Sequence, residues 1–142
     1  MRTSSRLLSD PYGVRVASRI TTVVVDCFSP DRLADFYAAL LGWGVIDQPD
    51  PDSVEIGPPG QPEKGPVPTL LFQRVPDPTP GKNRLHLDLN ATDRDQDAEL
   101  RRLLDLGATR AQIGQSGEET WHVLADPEGN VFCLLRSRVP AL

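Results

Sequence analysis

The side chains of this chain that could do chemistry gather in two stretches. NRLHLDLN, residues 83 to 90, alternates so that Arg84, His86 and Asp88 share one side of an extended strand and Leu85, Leu87 and Leu89 the other. Histidine changes charge near neutral pH. One flanked by a guanidinium and a carboxylate on a single strand face can hold a polar ligand or move a proton. The second stretch, NVFCLLR (130 to 136), carries Cys133 between Phe132 and Leu134. With no cationic neighbour to favour the thiolate, Cys133 reads as a small core residue rather than a nucleophile, and Cys27 in ITTVVVDC reads the same way. Trp121 and His122 point to opposite sides of their strand, so only one of them can reach a common cleft. Ser116, His122 and Asp88 can be assembled into a triad on paper, but nothing local marks Ser116 as a strained nucleophile. GPPG and GQSG lack the strand, loop and helix order of a phosphate loop.

The elements that must carry these residues show in the period of the apolar positions. ITTVVVDC (20 to 27) is short and β-branched, as a strand requires. In SPDRLADFYAALLGW (29 to 43) the period changes: Leu33, Phe36, Tyr37, Leu40 and Leu41 form one helical stripe, with Ser29 as cap, Pro30 in the first turn and Gly42 as stop. Ten of the 14 prolines fall between Pro49 and Pro80, which leaves room for short or edge strands such as SVEI (53 to 56) and TLLFQRV (69 to 75). The order then recurs. After the strand at 83 to 90, ATDRDQDAELRRLLDLGA predicts a helix capped by Thr92 and stopped at Gly107, with an Asp97–Arg101 pair on its surface. ETWHVLA (119 to 125) and NVFCLLR then predict a hairpin turning at Pro127 and Gly129.

Asp26 and Asp88, Arg32 and Arg94, and Gly42 and Gly107 are each a little over sixty residues apart. That recurrence predicts an α+β domain of two tandem βαβββ modules, one over about 20–80 and one over about 83–137, forming a cupped mixed sheet with helices on its outer face. Arg84, His86 and Asp88 would line the cleft, with aliphatic lining from Val24, Leu71 and Leu135. Residues 1–19 carry Arg2, Arg6, Arg15 and Arg19 against Asp10 alone, and read as a flexible or surface-laid extension outside the domain of residues 20–142.

Composition limits the function. A chain of 142 residues is ordinary for one domain. A net charge of -5 and a pI near 4.9 disfavour nucleic acid and anionic lipid as partners. No apolar run approaches the ~20 residues of a membrane span. Two cysteines without zinc or disulfide spacing suit a cytoplasmic setting.

FYAALLGW and ADPEGN, with ITTVVVDC, NRLHLDL and WHVLADPEGNVFCLL around them, resemble the vicinal oxygen chelate superfamily over about residues 20 to 137. The likeness is to its glyoxalase-like subgroup, alongside glyoxalase I, extradiol dioxygenases and bleomycin-resistance proteins. It implies a cupped pair of modules, often in a homodimer, with a divalent metal in the cup of the enzymes. The four ligand positions of those enzymes, usually His, Gln or Glu, fall by this resemblance at Thr22, Gln73, His86 and Cys133, of which only His86 is a strong match. The expectation is therefore a protein without metal or other cofactor that holds an apolar or aromatic small molecule in the cup. His86, Arg84, Asp88, Gln73, Thr22, Cys133 and Trp121 are its candidate lining residues. The alternative is a metal-dependent lyase, isomerase or dioxygenase using His86 with atypical partners. A third reading makes a dimer surface the functional unit and leaves the cup without a role.

Overall fold

A computed structural model describes residues 18–62, 64–78 and 84–142, so the extension expected at 1–19 lies almost wholly outside the described residues. The first module opens with β1 (Thr22–Cys27), whose three valines favour an extended backbone. α1 (Pro30–Leu41) follows, with Pro30 in its first turn and Gly42 ending it at φ 70, where a residue bearing a Cβ would be strained. Ser29 stands at the N-cap but makes no side-chain cap bond. The carboxylate of Glu128, far along the chain, instead holds the backbone just before the helix, accepting the N–H groups of Phe28 at 2.8 Å and Ser29 at 2.7 Å.

β2 (Gly44–Asp50), β3 (Ser53–Gly57) and β4 (Thr69–Arg74) complete this module. SVEI and TLLFQRV are found where expected, but β2 is not foreshadowed in the sequence. It contains Pro49 and tolerates it because it is an edge strand with two register irregularities against β3.

The second module runs β5 (Leu87–Leu89), α2 (Gln96–Leu106), β6 (Thr109–Arg110), β7 (His122–Ala125) and β8 (Val131–Leu134). β5 is shorter than the strand expected over 83–90, because its one partner, β8, offers only three pairs, Leu87 to Phe132 through Leu89 to Leu134. Leu85 falls outside that ladder and is 84% exposed rather than in the core. Asp95, not Thr92, caps α2, its carboxylate accepting the Ala98 N–H at 2.8 Å. The ion pair on this helix joins Arg102 to Glu99 at 2.7 Å, in place of the expected Asp97–Arg101 pair. Gly129 holds φ 87 in the turn before β8, as its position required.

The order within one sheet is β1-β4-β3-β2 and within the other β5-β8-β7-β6, with β1 parallel to β4 and β5 parallel to β8. The architecture is α+β with two tandem βαβββ modules. Both helices and both sheets share one core, in which Leu33, Phe72, Leu103, Leu124 and Phe132 are fully buried. Phe132 from the second module meets Phe36 and Tyr37 of α1, with ring centroids 6.3 and 6.2 Å apart. Tyr37 stacks on Phe72 at 5.6 Å. Such aromatic pairs add ~0.5–1.5 kcal/mol each beyond the area they bury.

Two polar ties reinforce that core. The Tyr37 hydroxyl donates to Asp126 Oδ2 at 2.7 Å, and the Arg102 guanidinium donates to the Leu40 carbonyl at 2.8 Å at the C-terminal end of α1. Tyr37→Phe is expected to cost about 1–3 kcal/mol, because it removes a donor from a buried carboxylate. Glu128→Ala should cost about 1 kcal/mol, because it removes the acceptor of the Phe28 and Ser29 N–H groups. Urea unfolding followed by circular dichroism checks both; a stability unchanged in each would refute the role given to this loop.

Candidate functional site

Alternation along the strands decides which side chains are free to meet a ligand. Val25, Cys27, Leu87 and Leu89 join the helix-packed core, so Val24, Asp26, His86 and Asp88 face away from the helices. A cavity of about 470 Å³ opens between β1 and β5. Its walls are mostly apolar, from Val23, Val24, Leu70, Phe72, Leu85 and Leu87, and its polar groups include Asp26 and His86. Tyr37 and Asp126 also reach it. Burial, and secondarily the charge of Asp126, drives the Tyr37 hydroxyl far above its ordinary value, so it stays a hydrogen-bond donor.

The expected site residues divide. His86, Asp88 and Cys133 come together: His86 Nε2 is 3.2 Å from Asp88 Oδ1, and ligand atoms of all three lie within 4.8 Å of one another. Cys133 is opposite Asp88 in the ladder and only 5% exposed, packed with Val123 and Val131 as a core residue of the helix-free face. His86 lines the cavity, whereas Asp88 lines a second cavity of about 450 Å³ beside Asn90 and Leu41. Arg84 is exposed just before β5 and Trp121 half-exposed just before β7. Of the aliphatic residues expected to line a cleft, Val24 does line the cavity, half exposed, while Leu135 packs beside Cys133. Ser116 is held in a loop by Glu119, at 3.1 Å from its Oγ, and His122 sits on the helix-packed side with Leu124, so the triad does not form.

In the first module, Thr22 Oγ1 lies 3.3 Å from Thr69 Oγ1, which in turn donates to Glu55 at 2.6 Å. Gln73 is exposed on β4 opposite Asp26. Asp26 pairs with Gln73 as Asp88 pairs with Cys133, which makes Val24 the register counterpart of His86. The first module thus sets an aliphatic side chain where the second sets an imidazole. Of the four positions expected for a metal, His86 and Cys133 come together with Asp88, Thr22 is engaged with Thr69, and Gln73 is exposed. Among the described residues, the group able to hold an ion is His86, Asp88 and Cys133, a mixed nitrogen, oxygen and sulfur set of the kind that suits zinc.

Two carboxylates on the helix-free face were not foreseen. Glu55 was legible in principle, since SVEI alternates and sets it opposite Val54 and Ile56; Asp26 had served only as a marker of the repeat.

Residues 22–135 match the family model described as a glyoxalase-like domain. The chain belongs to the glyoxalase-like domain family. Solved structures that share its fold include proteins described as glyoxalase, bleomycin-resistance or dioxygenase family members. A fosfomycin resistance protein, FosX, from Listeria monocytogenes is 12% identical with a TM-score of 0.63, over 87% of this chain and 94% of that one. A bleomycin-binding protein complexed with bleomycin is 19% identical, with a TM-score of 0.54, over 86% and 100% of the two chains. An antibiotic-binding protein, TnmS3, from a Streptomyces species is 23% identical, with a TM-score of 0.57, over 87% and 100%. No curated protein sequence matches. At these identities the likeness is one of fold. Within the described residues of this glyoxalase-like protein, no helix is long and apolar enough to cross a membrane.

Two buried groups make the family fold sensitive to alkali. Burial, with the charge of Glu128 next in weight, pushes the Cys27 thiol up to about 11, and Tyr37 is raised further still. A folded state that keeps its proton where the unfolded chain loses it is fully stable below the unfolded pKa and loses stability as pH rises through the folded one. Stability should therefore fall between about pH 9 and 11, at up to ~1.4 kcal/mol per pH unit for each group. Cys27→Ala should flatten the first part of that fall in urea titrations; an unaltered slope would mean that Cys27 does not carry it. Cys133→Glu should destabilise by more than about 2 kcal/mol by burying a charge. Tolerance of that change together with gained zinc affinity would instead mark a latent metal site.

Proposed function

We propose that this glyoxalase-like protein binds an apolar or aromatic small molecule, without a metal, in the cavity between β1 and β5. The lining of that cavity carries the reading: valine, leucine and phenylalanine form its walls, with a few polar groups to orient what enters. Its volume suits a small ligand, and structures of the same fold include a bleomycin-binding and an antibiotic-binding protein. The chemistry of the strands supports it too, since Thr22, an expected metal position, is engaged with Thr69, and Val24, the register counterpart of His86, offers no donor. His86 is proposed as the polar anchor. Gln73, Arg84, Asp88, Thr22, Cys133 and Trp121 lie off the described lining, and we assign them no direct contact in this reading. A cytoplasmic, homodimeric state completes the proposal, with sedimentation equilibrium as its check.

One observation favours a second reading. Three donor atoms from His86, Asp88 and Cys133 lie close enough to hold a cation after small side-chain rotations, which would support metal-dependent lyase, isomerase or dioxygenase chemistry.

Elemental mass spectrometry of untagged protein, purified without chelators, separates the two. We expect substoichiometric metal, unchanged in His86→Ala, with that variant losing ligand affinity while keeping stability within about 1 kcal/mol of the parent. Near-stoichiometric metal that disappears in His86→Ala would establish the second reading instead.

A further inference from the structure

The cavity between the modules is touched by Val23, Val24, Val25 and Asp26 on β1, and by Leu85, His86 and Leu87 on or beside β5. Consecutive residues of a strand send side chains to opposite faces. A cavity that meets consecutive residues of both strands therefore runs along their edges, not over their faces.

Both strands are sheet edges. The carbonyls of Thr21 and Cys27 accept from Thr69 and Val75, so the odd-numbered backbone groups of β1 serve its ladder with β4. Those of Thr22, Val24 and Asp26 point the other way. On β5 the carbonyls of Leu89 and Ala91 accept from Leu135 and Val139, which leaves the backbone groups of His86 and Asp88 on the outer side. Among the described residues no strand pairs with either set. Two unpaired edges, each a template for an added extended backbone, thus flank one cavity.

Charge narrows the occupant. Among the described residues, no lysine or arginine lines the cavity. Asp126 is spoken for by Tyr37, Asn130 and backbone N–H groups. Asp26 lines the cavity with no hydrogen-bond or ion-pair partner among the described residues. An amine or guanidine fits beside it, whereas a carboxylate would be repelled.

We propose that the seam takes an extended, amide-bearing small molecule with a basic group, a short cationic peptide or peptide-like compound, whose amides pair with the free edges of β1 and β5 while its base sits at Asp26. This rests on the reading of the cavity as a ligand site and names the ligand class. Main-chain pairing supplies affinity, and Val23, Val24 and Leu85 take the ligand's apolar side chains.

Amide resonances of isotope-labelled protein, followed by NMR, test it with four probes at millimolar concentration: acetyl-Leu-Val-Lys-amide, its Glu counterpart, the Lys peptide N-methylated at its central amide, and the neutral dye Nile red. The Lys peptide should slow hydrogen exchange at Val24, Asp26 and His86 and bind about tenfold more tightly than the Glu peptide. Asp26→Asn should erase most of that preference, and N-methylation should cost about tenfold as well. Equal binding of the Lys and Glu peptides, or indifference to N-methylation, overturns the proposal. Nile red bound in the seam with no peptide bound would overturn it while leaving a simple apolar site; failure of every probe would remove the ligand-site reading too. Protection of Val24 that grows with protein concentration and needs no probe would show the edges pairing with a second copy, which also overturns it.

Discussion

The Asp126 carboxylate organises the junction on which the rest of this structure depends. It is almost fully buried, and it accepts the Tyr37 hydroxyl, the backbone N–H groups of Glu128 and Asn130 and the Asn130 side-chain amide. A buried charge is tolerated only when its lone pairs are filled, and here the filling draws on both modules. The turn so fixed presents Glu128 to the start of α1, where its two oxygens accept the backbone N–H groups of Phe28 and Ser29. One short loop of the second module therefore sets where the first module's helix begins. Through Tyr37 it also sets how deeply that helix sits between Phe72 and Phe132. The gap between β1 and β5 is what remains once this docking is made.

Most of the fold was legible because the periods are clean and the punctuation is local. Pro30, Gly42, Gly107 and Gly129 act within their own turns, so their effect can be read without the tertiary structure. The failures are non-local. Ser29 is an ordinary cap by sequence, but its side chain makes no cap bond, and its backbone N–H is held by a carboxylate about a hundred residues away. The strict alternation of NRLHLDLN promises a long strand, yet only Leu87 to Leu89 find partners, on β8. β2 breaks the composition rule for strands and exists because an edge tolerates bulges and a proline. Thr92 reads as the cap of α2, yet the helix begins later and Asp95 caps it. Only the geometry chooses the one nearer the first apolar turn.

The site was less legible, for a physical reason. Alternation tells which residues share a strand face, and it correctly set His86 and Asp88 apart from Leu87 and Leu89. It says nothing of how two strands from different modules lie relative to each other. That relation makes the cavity, and it gives His86 to one hollow and Asp88 to another. Cys133 illustrates the same limit. Its apolar neighbours rightly suggested burial, but the ladder to Asp88 that brings it near His86 exists only in the folded sheet.

The two modules repeat a backbone but not a chemistry. Where the second has His86, Asp88 and Cys133, the corresponding first-module positions are Val24, Asp26 and Gln73, and the nearest polar cluster is the Thr22, Thr69 and Glu55 set on the adjoining strands. The first module thus offers an aliphatic wall and the second a polar point, and the proposed recognition role rests on that asymmetry. A histidine and a lone carboxylate facing an apolar seam can orient a bound molecule with little further machinery. Val24 shows the point most simply, since as a half-exposed aliphatic on an edge strand it gains nothing from solvent and would gain from being covered.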